Sequence, residues 1–461
     1  MKIIIIGAGR VGSSVAENLA SEANDITVVD TDALRLRQLQ DQFDLSTVVG
    51  NGALPSTLRE AGARDADLLL AVSQSDQTNL CACRTAASLF HVPTKIARLR
   101  SADYADDPQL LDERNFAVDI SICPEQIVTD HIVKLIETPE ALQVLEFAQG
   151  MASLVAVRAE TGSPLVGATV ADIRRHLPDI DARIAAIYRG SQVILPEGDT
   201  TVAAGDEVFC LAATRHIRRV IAELRRRERP TRRILIAGGG NIGYRLARAT
   251  ERGYDVKLIE IDEERAKFLA ANLGQTLVLH GDATDDALLV GEGVADIDFF
   301  LAVTDDDENN IMASLLAKCL GARRVLALVN RRIYAEVVQS DRIDIAISPA
   351  QISIGALLTH VRKADVAVVH SLRRGAAEAL ELVAHGDRQT SRVVGRRVDE
   401  LPFPKDVSCS AVVRGKGDAR RVIIAHHDTV IESDDHVIIF VANKQLVRKV
   451  ERLFQVDVAF I

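Results

Sequence analysis

The stretch Ile3-Ile4-Ile5-Ile6-Gly7-Ala8-Gly9-Arg10-Val11-Gly12 decides the fold of the first part of the chain. An apolar strand runs into a glycine turn, Val11 to Ser21 follows as an amphipathic helix, and Asp25 to Val29 reads as a second strand. Where a strand meets a helix N-terminus in this way, free backbone N–H groups and the positive end of the helix dipole both face an anion. Glycine is needed because a Cβ would block the approach: Gly7 makes the tight turn, Gly9 admits a phosphate and Gly12 lets helix pack on strand. A lone G-x-G-x-x-G is weak. Here it lies between a strand and a helix, and Asp30 ends the second strand about 20 residues later, which is the context of a dinucleotide-binding Rossmann unit. A carboxylate there accepts hydrogen bonds from adenosine ribose hydroxyls and disfavours a 2′-phosphate, so NAD or ATP fits better than NADP.

The unit occurs twice. Gly238-Gly239-Gly240-Asn241-Ile242-Gly243 matches Gly7 to Gly12 at an offset of 231 residues, and it too follows an apolar strand, Ile234 to Ala237. The match continues in order: Asp30 against Glu260, Gly50-Asn51-Gly52 against Gly281-Asp282-Ala283, Leu70-Ala71-Val72-Ser73 against Leu301-Ala302-Val303-Thr304, Asn79 against Asn310. An ordered series at nearly constant offset implies internal duplication. After about 135 residues each half changes texture to short β-rich runs, Ala148 to Ala212 and about Ala376 to Ala442, broken by turns such as Thr161-Gly162-Ser163-Pro164 and Pro196-Glu197-Gly198-Asp199. The expected fold class is α/β: two Rossmann-like, doubly wound parallel-sheet domains (1–135 and 231–362), each followed by a small α+β domain (140–228 and 367–455). The charged stretch Arg225 to Arg233 joins the halves.

The formal net charge of −10 argues against a nucleic-acid partner, and the local run Arg225-Arg226-Arg227 does not overturn that. Lys2 to Ile6 enters a glycine turn instead of a secretion signal, and no stretch reaches the roughly 18 to 20 apolar residues of a bilayer span, so the sequence predicts a protein that stays inside the cell and reaches a membrane only through a partner. The six scattered cysteines read as reduced thiols.

Other positions carry two readings each. Asn51 and Asp282 sit where a Rossmann site meets adenine, and are equally plain turn residues. The hydroxyls of Ser73 and Thr304 stand beside the switch-point crevice, within reach of phosphate or ribose, or act as helix N-caps. Asp32 and Asp262 read first as caps of the helices that follow them. Arg98 and Arg100 alternate along a strand toward a phosphate, whereas the second copy has Ala327 and Val329 nearby, so the halves are expected to differ in ligand or affinity, the first binding more tightly. No catalytic constellation is visible: His176, His385, His426 and His427 have no matching copy, and no metal site is expected, although Asp434 and Asp435 leave a cation in the last module open. A protein that binds a nucleotide in order to change shape is therefore the first reading, and an NAD-dependent oxidoreductase with a duplicated Rossmann domain the second.

The whole chain resembles the TrkA-type regulators of Trk potassium uptake, peripheral subunits built of two RCK (KTN) domains in tandem. The resemblance rests on both glycine turns, Asp30 and Glu260, Gly50-Asn51-Gly52 and Gly281-Asp282-Ala283, Asn79 and Asn310, and the segments Gly162 to Gly167 and Pro196 to Asp199, which are similar to the family's TrkA-C modules. It implies a cytoplasmic ring, a homotetramer of eight RCK units, docked under a TrkH-type potassium channel or transporter and switched by NAD(H), ATP and ADP. It also implies that Gly7, Gly9, Gly12, Asp30 and Asn51 bind nucleotide in the first half and Gly238, Gly240, Gly243 and Glu260 in the second; the whole candidate set in the first half adds Ala8, Arg10, Val11, Gly52, Ser73, Arg98 and Arg100. In the second half the set is Gly238, Gly240, Asn241, Ile242, Gly243, Glu260, Asp282, Ala283 and Thr304.

Overall fold

The computed structural model describes residues 1–20, 24–105, 107–190, 192–331, 334, 343–361, 365–372 and 377–456. Ser21, residue 362 and Ala376, three of the expected element ends, lie outside the described residues.

Strands β1 (Lys2–Ile6), β2 (Asp25–Asp30), β3 (Ser46–Val49), β4 (Leu68–Ala71), β5 (Thr94–Arg98) and β6 (Ile120–Ile122) form a sheet ordered β3-β2-β1-β4-β5-β6. All its pairings are parallel. A parallel sheet carries helices on both faces, so its central strands must be apolar without alternation. Ile3 to Ile6 and Leu68 to Ala71 are accordingly buried along their whole length. The order reverses between β1 and β4, which opens a crevice at the carboxyl ends of the strands.

Next come β7 (Ala141–Phe147), β8 (Ala152–Arg158), β9 (Ala182–Arg189), β10 (Gln192–Ile194) and β11 (Glu207–Ala213), an antiparallel sheet ordered β10-β9-β11-β8-β7. The second half repeats both sheets. Strands β12 (Arg233–Ala237), β13 (Asp255–Glu260), β14 (Leu277–His280), β15 (Phe299–Ala302), β16 (Arg324–Leu328) and β17 (Ile345–Ile347) pair in the order β14-β13-β12-β15-β16-β17. Strands β18 (Val366–Leu372), β19 (Ala377–Ala384), β20 (Val407–Arg414), β21 (Arg421–Ile424) and β22 (Asp435–Val441) pair as β18-β19-β22-β20-β21, the order of the first antiparallel sheet strand for strand.

The described residues group into two compact units, one built on Met1–Val128 with Ser348–Leu357 added, the other on Thr129–Val329 and the chain beyond Leu358. Within the second unit the two antiparallel sheets share one apolar core in which Phe147, Phe209 and Phe440 are fully buried. The rings of Phe209 and Phe440, one from each module, lie 6.0 Å apart. Polar contacts follow the same seam: Arg183 donates to the Ala425 carbonyl and, at 3.2 Å, to Ser408 Oγ. All six cysteines are free thiols, and burial pushes those of Cys83, Cys210 and Cys409 up to about 12.

Candidate functional site

The two glycine turns divide their labour in the same way. Gly7 has φ +101° and Gly238 φ +105°, conformations that favour glycine, and a Cβ on either would come within 2.8 Å of Ser73 or Thr304. Gly12 and Gly243 admit the closest approach of helix to strand, since a Cβ would stand 1.8 Å from the Gly7 carbonyl oxygen and 1.9 Å from that of Gly238. Gly9 and Gly240 differ: a Cβ there would meet no protein atom within 4 Å. Packing therefore has no need of glycine at Gly9 or Gly240, whereas a phosphate approaching the helix start has. Beside them, Ala8, Val11 and Gly12 are buried and Arg10 is exposed; Asn241 is exposed and Ile242 half-buried.

Each turn is tied to the carboxylate at the end of the second strand. Asp30 Oδ2 accepts the Ala8 N–H at 2.6 Å and Oδ1 the Asp32 N–H at 2.8 Å. Glu260 repeats this with Gly239 at 2.7 Å and Asp262 at 2.9 Å. One backbone donor per oxygen leaves each a further lone pair, the capacity a ribose diol requires. These donors also hold the carboxylate against the turn. Asp32 caps the helix Ala33–Gln42 by accepting from Leu34 and Arg35, and Asp262 caps Glu263–Asn272 through Arg265 N.

On the other side of the crevice, Ser73 and Thr304 stand two residues beyond β4 and β15. Each hydroxyl donates to the amide oxygen of a buried asparagine, Asn79 or Asn310, at 2.7 Å. The asparagine oxygen also accepts the Ser73 or Thr304 N–H, while its nitrogen donates to the carbonyl of the same residue and to that of Arg98 or Leu328. A fully buried amide thus satisfies the ends of two adjacent strands. Replacing Asn79 by leucine leaves Ser73 N–H and two carbonyls without partners, and is expected to cost about 2 kcal/mol, seen as a lower urea midpoint at unchanged slope.

Asn51 and Asp282 form turns with their own backbone, accepting from Ala53 N at 3.0 Å and Thr284 N at 2.8 Å. Gly52 packs directly on Ile6, whose Cγ2 a Cβ would approach to 2.3 Å. The second half has Ala283 and Ala237 at these two places, a compensating exchange of volume that explains both residues by packing.

The pair Arg98 and Arg100 is placed differently from its strand-alternation reading. Arg98 is buried at the end of β5, and its guanidinium donates to Glu125 Oε1 at 2.6 Å; Arg100 Nε lies 3.3 Å from the same oxygen. Glu125 neutralises the cation locally. The strand pairings also correct the comparison between halves: Ala97 pairs with Ala71 and Ala327 with Ala302, so Arg98 and Arg100 correspond to Leu328 and Asn330, not to Ala327 and Val329. Glu125, the residue after the first proline of its helix, has Ala350 as its counterpart, so cation and carboxylate are replaced together.

Sequence comparison alone missed Arg265. Its Nε donates to the Gly239 carbonyl at 2.8 Å, and its guanidinium lies 4.8 Å from the Phe268 ring centroid and 5.9 Å from that of Tyr244. In the first half the matching carbonyl, of Ala8, takes a hydrogen bond from Ser13 Oγ at 2.8 Å.

Beyond the crevices, Asp206 and Asp435 each hold a bidentate arginine, Arg189 and Arg414. Burial opposes ionisation of Asp206, but hydrogen bonds from Arg189 and Ala203 N–H hold its carboxyl below the usual range. With Arg414 on both its oxygens, Asp435 is a structural anion and not a cation ligand. Among the described residues no group of three or more His, Cys, Asp or Glu side chains is placed to hold a metal, and no helix is long and apolar enough to cross a membrane.

Two Rossmann units with open glycine turns, each trailed by an antiparallel module, define a tandem Rossmann protein whose two crevices have the form of nucleotide sites. The TrkA-N domain matches residues 3–115 and 234–349, and the TrkA-C domain 154–225 and 388–455. The chain belongs to the TrkA family of Trk-system potassium uptake proteins. It is 54% identical over 460 residues to the Trk system potassium uptake protein TrkA of Halomonas elongata, each chain covered in full. It is 52% identical to that of Vibrio alginolyticus, with 99% of each covered. Among solved structures it is similar in fold to the GsuK RCK domain (TM-score 0.62, 17% identity, 98% of this chain and 94% of that one). The GsuK channel bound to NAD gives a TM-score of 0.61 at 16% identity, over 98% of this chain and 78% of that one.

Proposed function

We propose that this chain is the cytoplasmic, nucleotide-sensing gating subunit of a TrkH-type potassium channel or transporter, peripheral on the inner face of the membrane and non-catalytic. Four copies form a ring of eight RCK units, and NAD(H), ATP and ADP bind in the Rossmann crevices. The observation that carries this reading is the repeated crevice mouth, in which Gly9 or Gly240 leaves the helix start open beside a carboxylate fixed at the end of the second strand. Gly7, Gly9 and Gly12 with Asp30 would hold the nucleotide in the first half, and Gly238, Gly240 and Gly243 with Glu260 in the second. The turn N–H groups meet phosphate and the carboxylates meet ribose. Support comes also from full-length similarity to TrkA proteins and from the fold shared with a channel bound to NAD.

A ligand moves such a ring only by binding one of its states better. A tenfold preference at one site is worth about 1.4 kcal/mol, so a few sites acting together shift the gate from mostly closed to mostly open. The test is rubidium flux through vesicles holding the membrane subunit with this chain added. Exchange of ATP for ADP, and addition of NADH, are expected to change flux several-fold. Flux indifferent to all three nucleotides would remove the sensing function.

A further inference from the structure

We propose that Arg265 is a phosphate-binding residue of the second crevice, a cation anchored on the carbonyl before its open glycine where the first crevice has a neutral hydroxyl. The proposal rests on the nucleotide reading and deepens it. The carbonyl before the open glycine needs a donor in both halves, and the halves meet that need with different chemistry. Ala8 is served by the neutral Ser13 hydroxyl, and Gly239 by the guanidinium of Arg265. Two places change together to allow this. Ser13 becomes Tyr244 and Gln38 becomes Phe268, so the hydroxyl is lost and two ring faces are gained, tilted at 6.1 Å from each other and both within cation–π range of Arg265. Arg35, the first-half counterpart of Arg265, is turned away: half of its side chain is exposed and it pairs with Asp32 at 3.2 Å.

Fixing the guanidinium through Nε and both aromatic faces restricts an otherwise flexible side chain, and leaves the two terminal nitrogens, with four N–H donors, for another acceptor. The carbonyl that anchors it belongs to Gly239, one residue before the glycine that lies open at the helix start. A planar donor fork at that place fits a 5′-phosphate of an adenine nucleotide, whose ribose would be held by Glu260, the acceptor of the same residue's N–H. In the first crevice Arg98 and Arg100 both meet the single carboxylate of Glu125, which offsets one of their two charges.

Titration calorimetry of the full chain carrying Gly9→Val, which leaves the second crevice alone, tests this with ADP and with adenosine. Arg265→Gln is expected to weaken ADP about tenfold and to flatten its salt dependence, while adenosine binding changes less than twofold. Arg35→Gln in a Gly240→Val chain is expected to change ADP binding less than twofold. Equal losses for ADP and adenosine would make Arg265 a packing residue and overturn the assignment, as would an unchanged ADP affinity. A Gly9→Val chain that binds no ADP before Arg265 is altered would remove the nucleotide reading of the second crevice and this proposal with it.

Discussion

Gly9→Val and Gly240→Val are each expected to abolish nucleotide binding in their own crevice, by about 100-fold or more, with the unfolding midpoint of the chain unchanged within about 1 °C. The two halves of this expectation come from one observation. No protein atom lies within 4 Å of a Cβ built at either position, and neither glycine has a positive φ, so a side chain has open space to enter at both places in the unliganded fold. The same volume is where the phosphate must approach the first backbone N–H groups of the helix. Displacing a phosphate from several charge-assisted hydrogen bonds of about 1.5 to 3 kcal/mol each exceeds the 2.7 kcal/mol that corresponds to 100-fold. Gly12→Ala and Gly243→Ala provide the contrast. There a Cβ would stand within 2 Å of a backbone carbonyl oxygen that cannot move without breaking the turn, so stability falls by about 3 kcal/mol or more and binding falls with it. Thermal melts and nucleotide titrations on the four variants separate the cases. A Gly9→Val chain that binds ADP normally would show that the phosphate does not use the open side of the turn.

The duplicated architecture was legible because each of its signals is local. An apolar strand, a glycine turn at fixed spacing and a carboxylate about 20 residues on fall within one βαβ unit, and the repeat at an offset of 231 residues removes chance. Caps such as Asp32 and Asp262 were legible for the same reason. The electrostatics were not, because they are made by partners distant in sequence. Alternation along a strand continued to Arg100 puts Arg98 and Arg100 on one face, but gives no sign that β5 ends at Arg98 or that both arginines meet Glu125, on a later helix. Arg265 is hidden for the opposite reason. It has an arginine counterpart, Arg35, so comparing halves position by position shows no difference, and what sets it apart is the change of Ser13 and Gln38 into the rings that hold it. The asymmetry read from the sequence rested on Arg98 and Arg100 alone; in our proposal the second crevice has an arginine of its own, at the glycine turn.

The shared core of the two antiparallel modules predicts a loss of stability in mild acid. His131, on the helix Pro124–Glu137, is held neutral down to about 4, first by burial, then by the neighbouring His370 and Lys134. Burial also lowers His370, whose Nε2 donates to the Glu146 carbonyl at 3.0 Å and whose ring meets Phe147 edge-on at 5.0 Å. The charged groups around this pair are Lys134 and Glu146, which bind each other at 2.7 Å, and Glu381. Glu381 is buried between the modules, accepting the Ala148 N–H at 2.7 Å and contacting His436 Nδ1 at 2.5 Å. The sign follows from proton counts: with a folded value near 4 and an unfolded one near 6.5, the unfolded chain binds the extra proton in between. Stability is complete above about pH 6.5 and is lost as pH falls toward 4, by about 3 kcal/mol for His131 alone, with His370 adding in the same direction. Urea midpoints measured at steps from pH 7.5 to 4.5 are expected to fall steeply through this window in the parent chain, and to fall less in a His131→Gln chain compared with itself at pH 7.5. The neutral amide has no proton to gain, so a His131→Gln profile parallel to that of the parent would show that acid acts elsewhere in the protein.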